Sequence, residues 1–399
     1  MSEVKGLSNS SLINKAAITA GSFSGAVGLA AREADRFIDY VIDQSVLLKA
    51  CRVERMNNAT KKIDKINLGD NILVPAVAAT DPGETTGIGV SQIILRAKEM
   101  IAVARISDDT LEDNIEGDAF VDHLMRMVAT QVSNDLELAY LFGNSRPTPV
   151  TINDLFDGWL KQMRTGHVLD AAADQDRFMS FEKLSKAFKT IPNKFKRNRQ
   201  MMRYCCSPNL VEDYVQLLVA KNTPGADVAI QGDAPLRYGR IPFAELGLVP
   251  ENMPVNTGIS TALAADSAVG AQNFKVNAVQ GLNAGDSITI GAPDTASFET
   301  LTIQAVGTAG AGGTGITTVE QAQYVHQTND ILNQASLDGT PLMLTHMLNL
   351  IVGIHRDIRV ETQRWARLRA TDFVLTLRSD TAVENPDACV VYDNMQVQA

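Results

Sequence analysis

The segment Thr80–Val90, TDPGETTGIGV, constrains this chain more than any other stretch. It carries a Pro-Gly pair, two more glycines and almost no helix former, so it reads as a turn. To its left runs KKIDKINLGDNILVPAV and to its right SQIILRAKEMIAVARI. Both flanks are strand-like, so residues 60–106 read as one long hairpin. A two-stranded ribbon buries too little apolar surface to be stable alone. Whatever this chain folds into must give the hairpin something to lean on.

The chain has 399 residues, 45% of them hydrophobic, enough for more than one core. A formal charge of −10 argues against a protein built mainly to grip nucleic acid. No apolar run has the length of a membrane span, and no charged-then-apolar leader opens the sequence. Cysteines at 51, 205, 206 and 389 show no framework spacing and are expected to be reduced thiols of a cytosolic protein. Histidines at 123, 167, 326, 346 and 355 show no metal-ligand pairing. The expectation is a soluble intracellular protein with no metal and no cofactor.

Residues 1–30 are small, polar and Gly/Ser-rich, and read as an arm followed by a first helix, 1–45 in all. The hairpin region is 46–106. From Asp118, Phe120, Leu124, Met127/Val128, Val132, Leu136 and Tyr140 recur every three to five residues and predict a long helix within 107–151. Ser107, Asp108 and Asp109 offer capping oxygens at its start, and Gly143 a C-cap at its end. Residues 152–254 alternate helix and strand signals, with QMMRYCCSP as a buried strand, and predict an α+β domain. At 255 the texture changes. Residues 255–337 hold ten glycines and one lysine, Lys275, against six acids, a net of −5. Short runs such as DSITIG and ETLTIQAVG between turn signals predict a small all-β barrel or sandwich inserted into the α+β domain. That domain returns over 338–355. In the tail, 356–399, Phe373, Leu375 and Leu377 alternate inward against Val374, Thr376 and Arg378.

Sites for chemistry are few. GAGGTG at 310–315 lacks the Gly-Lys-Ser/Thr ending of a phosphate loop and reads as a hairpin tip. Cys205 and Cys206 read as buried, inert thiols. The basic run Lys194, Lys196, Arg197 and Arg199 reads as a solvated loop. Arg364, Trp365, Arg367 and Arg369 fit two accounts equally: an interface, where Arg and Trp are enriched, or a core Trp among solvated arginines.

The order of these parts resembles the major capsid proteins of tailed phages, the Hong Kong 97-type fold. ISDDTLED followed by a long helix ending ELAYLFGN is similar to the start and end of that family's spine helix. MRYCCSPNLVEDYVQLL with YGRIPFAELGLVPENMP resembles its axial domain, and FVLTLRSDTAVENPDACVVY its closing peripheral strands. The resemblance covers about 45–254 and 338–395. Residues 255–337 depart from it and resemble the extra domains some phage coats carry. The long charged N-terminal segment that serves relatives as scaffold is missing.

The resemblance implies a non-enzymatic shell protein that self-assembles as hexamers and pentamers around packaged double-stranded DNA, without specific DNA binding. It implies a separate scaffolding protein (Met1 favours this over a cleaved segment), a portal and decoration proteins as partners, and no membrane. It implies a virion protein assembled in the host cytoplasm. Intersubunit contacts are then expected from the hairpin (Lys61, Lys62, Lys65, Ile72, Arg96, Lys98) and from the peripheral domain (Arg364, Trp365, Arg367). Lys61, Lys62 and Lys65 are the candidates for the covalent crosslink some relatives make. The alternatives are an encapsulin-like compartment shell and a phage tail or connector protein.

Overall fold

A computed structural model describes residues 46–68, 88–107, 119–149, 151–174, 176–221, 236–355 and 359–398. The arm at 1–45, the hairpin tip with Ile72, and the acidic run 108–118 lie outside these described residues. The chain divides into two compact units, one of 1–49, 53–136 and 352–380, the other of 50–52, 137–351 and 381–399.

The first unit starts with the short helix α1 (Val46–Ala50) and strand β1 (Arg52–Met56). The expected hairpin then forms, but only from β2 (Thr60–Leu68) and β3 (Ile88–Arg96), paired antiparallel from Thr60↔Arg96 to Leu68↔Ile88. Residues beyond Arg96 leave it. After a break at Ala97, β4 (Lys98–Ser107) pairs along the C-terminal strand β17 (Ala370–Val383), from Ser107↔Ala370 to Lys98↔Ser379. Ser107 is the end of this strand, and the run it was expected to cap lies outside the described residues. Strands β15 (Leu350–His355) and β16 (Arg359–Trp365) complete a five-stranded sheet, β1-β15-β17-β16 with β4 on β17.

The hairpin does lean on this sheet at its base. Leu95 is fully buried, worth about 1.5–3 kcal/mol. A Cβ on Gly353 of β15 would sit 2.7 Å from Met56 Sδ and 3.0 Å from Leu95 Cδ1, so glycine permits this contact. The Arg96 amide donates to Asp380 Oδ2 at 2.6 Å.

The long helix α2 spans Ala119–Phe142, 24 residues and about 36 Å at 1.5 Å per residue. Its C-terminal half buries Ser133, Leu136, Glu137, Tyr140 and Leu141, as the periodicity requires, whereas Met127 is exposed. Gly143 ends the helix for a different reason than expected. It has no left-handed backbone; a Cβ there would meet Phe156 O at 2.5 Å and Ala139 O at 2.6 Å. Crowding requires this glycine, and a neighbour, Gly158, is crowded in return by Gly143 N.

The second unit holds α3 (Trp159–Met163), β5 (His167–Asp170), α4 (Phe181–Thr190), β6 (Met202–Cys206) and α5 (Pro208–Ala220). Ser180 and Ser207 cap α4 and α5 by accepting from Lys183 N and Leu210 N, and Pro208 occupies the first turn of α5. Short strands β7 (Arg237–Tyr238) and β8 (Ile241–Glu245) follow. Leu184, Ala187, Tyr204, Cys206, Leu210, Tyr214 and Ile241 form one core with Leu342, Leu344, Val390, Tyr392 and Met395. The last strand, β18 (Val390–Met395), thus belongs here, which corrects the assignment of the whole 356–399 tail to the peripheral strands.

Between them lie β9 (Met253–Ala262), β10 (Asn273–Phe274), β11 (Ser287–Ile290), β12 (Glu299–Val306), β13 (Ile316–Thr318) and β14 (Ile331–His346). Leu263, Phe274, Val276, Ile288, Ile290, Leu301, Ile303, Ile316 and Leu332 make a separate core. The expected boundaries, 255 and 337, both fall inside strands. β9 and β14 pair from Met253↔Gly339 to Ala262↔Ile331 and run straight through both numbers. Single-sequence texture marks the change of composition but misses this ribbon, because β14, ILNQASLDGTPLMLTH, contains Gly339 and Pro341, which read as breakers.

Candidate assembly surfaces

In the five-stranded sheet, alternation sends Phe373, Leu375 and Leu377 of β17 to the buried face. The opposite face follows from the register. It carries Ile101, Val103 and Arg105 of β4 beside Thr376, Val374 and Asp372 of β17. These in turn lie beside Arg359, Glu361 and Gln363 of β16. Ile101 is 66% exposed and Val103 57%. At the end of the sheet Trp365 is 42% exposed, and Leu368 in the following turn 58%. Isolated exposed apolar residues are ordinary; a row of them on one sheet face marks a contact surface.

One polar node fixes that face. Arg105 donates from Nε and Nη2 to the two Asp372 oxygens at 2.6 and 2.8 Å, and Trp365 Nε1 donates to Asp372 Oδ2 at 2.9 Å. The Arg105 guanidinium first, and the indole N–H after it, hold the Asp372 carboxyl below the usual carboxylate range. Trp365 is thus an exposed ring held by its nitrogen, which resolves its two readings against a core Trp. Arg364 lies on the opposite face, opposite Thr371, and Arg367 is exposed in the turn. The cluster read from sequence neighbours is therefore split, and Trp365 is joined instead to residues from distant positions. Arg105 and Asp372 were missed as surface residues. The signal was present in IAVAR, where large residues alternate with alanine.

The hairpin supplies a second surface. Thr60, Lys62 and Asp64 with Arg96, Ile94 and Gln92 form its exposed face, and Ile94 is 41% exposed. Lys61 is on the other face, its Nζ bonded to Glu54 Oε2 at 2.6 Å and Arg55 O at 3.2 Å. Lys65 is half-buried on that same side. Lys98 does not belong to the hairpin; it is an exposed residue of β4.

Each of the six acids of 255–337 has a hydrogen-bond or ion-pair partner. Asp266 accepts from Thr328 N and Oγ1, Asp286 from Asn283 N, Glu299 from Gln323 N, Glu320 from Thr302 N and Asp330 from Gln327 N. Asp294 pairs with Arg164 at 2.8 Å. Asp286 and Asp330 close turns, and the others tie together segments far apart in the sequence.

Nothing among the described residues gathers three metal-ligating side chains. No described helix is long and apolar enough to cross a membrane. All four cysteines are buried. Burial pushes the thiols of Cys51 and Cys205 up to about 12 and that of Cys389 to about 11. Gly310 and Gly315 take left-handed backbone in a turn and no helix follows. In the basic run, Lys196 and Arg199 lie over the Phe188 ring at 5.2 and 4.5 Å.

No protein-family model matches the chain. YqbE of Bacillus subtilis (strain 168), named as a prophage capsid protein, is 27% identical over 383 residues, covering 95% of this chain and 96% of its own. A chain of the satellite phage P4 procapsid, which includes the size determination (Sid) protein, superposes with a TM-score of 0.55 at 12% identity. The match covers 98% of this chain and 99% of that one. A chain of the native GTA particle capsid gives a TM-score of 0.50 at 11% identity, covering 88% and 90%. The relative matches end to end, and the fold of helices and strands is that of phage capsid subunits. Sequence likeness and fold together relate the chain, over nearly its whole length, to phage capsid proteins.

Proposed function

We propose that the chain assembles with copies of itself, as hexamers and pentamers, into the icosahedral head of a tailed phage that encloses double-stranded DNA. In this reading the subunit follows the Hong Kong 97-type plan. Residues 1–45 are an arm, 46–106 hold the extended loop, 107–151 and the sheet strands the peripheral domain, and 152–254 with 338–355 and β18 the axial domain. Residues 255–337 are an inserted β domain. A separate scaffolding protein, a portal and decoration proteins are its partners, and the DNA inside is held without sequence readout.

The observation that carries the reading is the outward sheet face of Ile101, Val103, Trp365 and Leu368. A fixed indole amid aliphatic side chains, rimmed by Arg105 and Arg367, has the composition of a protein contact. Copies meeting through unlike surfaces close into a shell when their symmetry permits. The hairpin, anchored at its base, is the second contact, reaching over a neighbouring copy with Lys62, Ile94 and Arg96. Arg364, on the other face of the sheet, and Lys98 of β4 are further contact candidates, and Lys61, Lys62 and Lys65 are the lysines to examine for crosslinks by boiling shells in SDS.

Negative-stain microscopy of the purified protein, alone and with a scaffold candidate, tests the proposal. Uniform polyhedral particles support it. Discrete monomers under both conditions, or tubes and rings, reject it. Deleting residues 78–90 is expected to leave a folded subunit that forms no shells.

A further inference from the structure

The segment 255–337 is joined to the rest of its unit in two places of different character. One is the β9–β14 ribbon. Its pairing is irregular where it leaves the α+β core, with register shifts between Asn333 and Ala335 and between Leu337 and Gly339. A Cβ on Gly339 would lie 2.5 Å from Val255 Cγ2 and 2.8 Å from Met253 O, so only glycine lets the two strands approach there. Just beside it, Asp338 is pinned to the core side by Arg177, both bonds at 3.1 Å, and by Gln396 Nε2 at 2.9 Å. The ribbon is therefore fixed at Asp338 and irregular immediately beyond.

The other attachment is polar throughout. The turn between β11 and β12 is held by Arg164 Nη1 to Asp294 Oδ1 at 2.8 Å, Asn144 Nδ2 to Thr295 O at 2.9 Å, and Arg146 Nη2 to Phe298 O at 3.1 Å. Arg164 divides its guanidinium, giving Nε and Nη2 to the two oxygens of Asp393 in β18. Arg146 also lies over the Tyr324 ring, 4.0 Å from its centre. The ribbon and this turn are separated by a cleft of about 530 Å³, lined by Asn144, Arg164 and Asp294 on one side and Met253, Ala335 and Thr340 on the other. The two hydrophobic cores share no described residue. So no apolar packing between the cores locks the angle of the segment.

We propose that residues 255–337 form a hinged unit, with the pivot at Asn333–Leu337 of the ribbon and the Arg164–Asp294, Asn144–Thr295 and Arg146–Phe298 contacts as a releasable latch. Bulges in a paired strand let it bend without breaking the ladder on either side. Polar bonds at a partly wet surface are modest net contributors, so the latch opens without unfolding either core. Because Asn144 and Arg146 directly follow α2, the latch ties the angle of the segment to the end of that helix. The inference concerns a single copy and does not rest on the shell reading.

Asp294 has φ +64°, a left-handed conformation that glycine adopts freely. Asp294→Gly therefore removes the carboxylate without straining the turn, and Asn144→Ala removes the second bond. The experiment is amide hydrogen exchange by mass spectrometry on the full-length protein and on the double variant. The expected result is a rise of about tenfold in exchange at 291–298 and also at 253–257 and 333–341. Strands 287–290 and 299–306 should keep the parent's protection. A rise confined to 291–298 would show that the ribbon alone sets the angle and overturn the hinge. A uniform rise across 255–337 would make the contacts part of the segment's folding, and would equally overturn it.

Discussion

Arg105 and Asp372 stand 267 positions apart and close a two-bonded ion pair across β4 and β17, with Trp365 donating to the same carboxylate. The node sets the indole's orientation on a face that also exposes Ile101 and Val103. Asp372→Ala is expected to free the ring and shift its share of the tryptophan fluorescence to the red. Trp159, fully buried, with its indole donating to Ile351 O at 3.3 Å, is the unchanged background. Emission identical to the parent would contradict the role given to Asp372.

Trp365→Ala and Ile101→Lys alter exposed side chains, so both variants should unfold within about 0.5 kcal/mol of the parent. Shell formation should nevertheless fail or fall sharply, as judged by sedimentation and microscopy. Normal shells from both variants would remove this sheet face from the assembly account.

Gly143→Ala should cost about 3 kcal/mol or more, at the top of the overpacking range. Its Cβ would meet two backbone carbonyls, at 2.5 and 2.6 Å, which cannot turn aside as a flexible side chain does. Urea denaturation checks this. A midpoint equal to the parent's would mean the helix end had relaxed.

Hydrogen bonds from Thr328 hold the Asp266 carboxyl below its ordinary range, and the Thr302 amide does the same for Glu320. A carboxylate lowered in the folded state adds stability that is complete above its unfolded value, about pH 4. That stability is lost as pH falls through the folded value. Acid titration followed by circular dichroism should therefore show β-structure lost below about pH 4. Asp266→Asn with Glu320→Gln should flatten the dependence on pH.

Buried thiols whose pKa is raised stay protonated and are poor nucleophiles. In the native protein at pH 8 none of Cys51, Cys205, Cys206 and Cys389 should react with a thiol reagent, and all four should react after denaturation. Immediate labelling of any one would show an opening that the packing does not contain.

The sequence made local regularities legible. The period of α2, the buried β6 strand and the alternation in β17 are each set by neighbours a few residues apart, and each is found. Longer pairings were harder to see. Nothing in SQIILRAKEMIAVARI announces that the chain changes partner at Ala97, because β3 and β4 have the same strand-like texture. Trp365 was singled out, but its partners Arg105 and Asp372 are chosen by register between strands far apart in the chain. The long strand β14 was hidden by Gly339 and Pro341. Both are tolerated because the ladder shifts register around them.

At Met343, β14 pairs with Cys205 on one side and Val391 on the other. The central strand of the α+β core is thus clasped by a strand made early in synthesis and one made late. Chains generally fold from the N-terminus as they emerge, yet helices α4 and α5 cannot find their full core until residue 395 has been made. The 255–337 segment, whose core ends at Leu332, is complete sooner. A nascent subunit therefore carries one finished module and one open sheet edge beside it. Chains that stop before Val390 never close that edge.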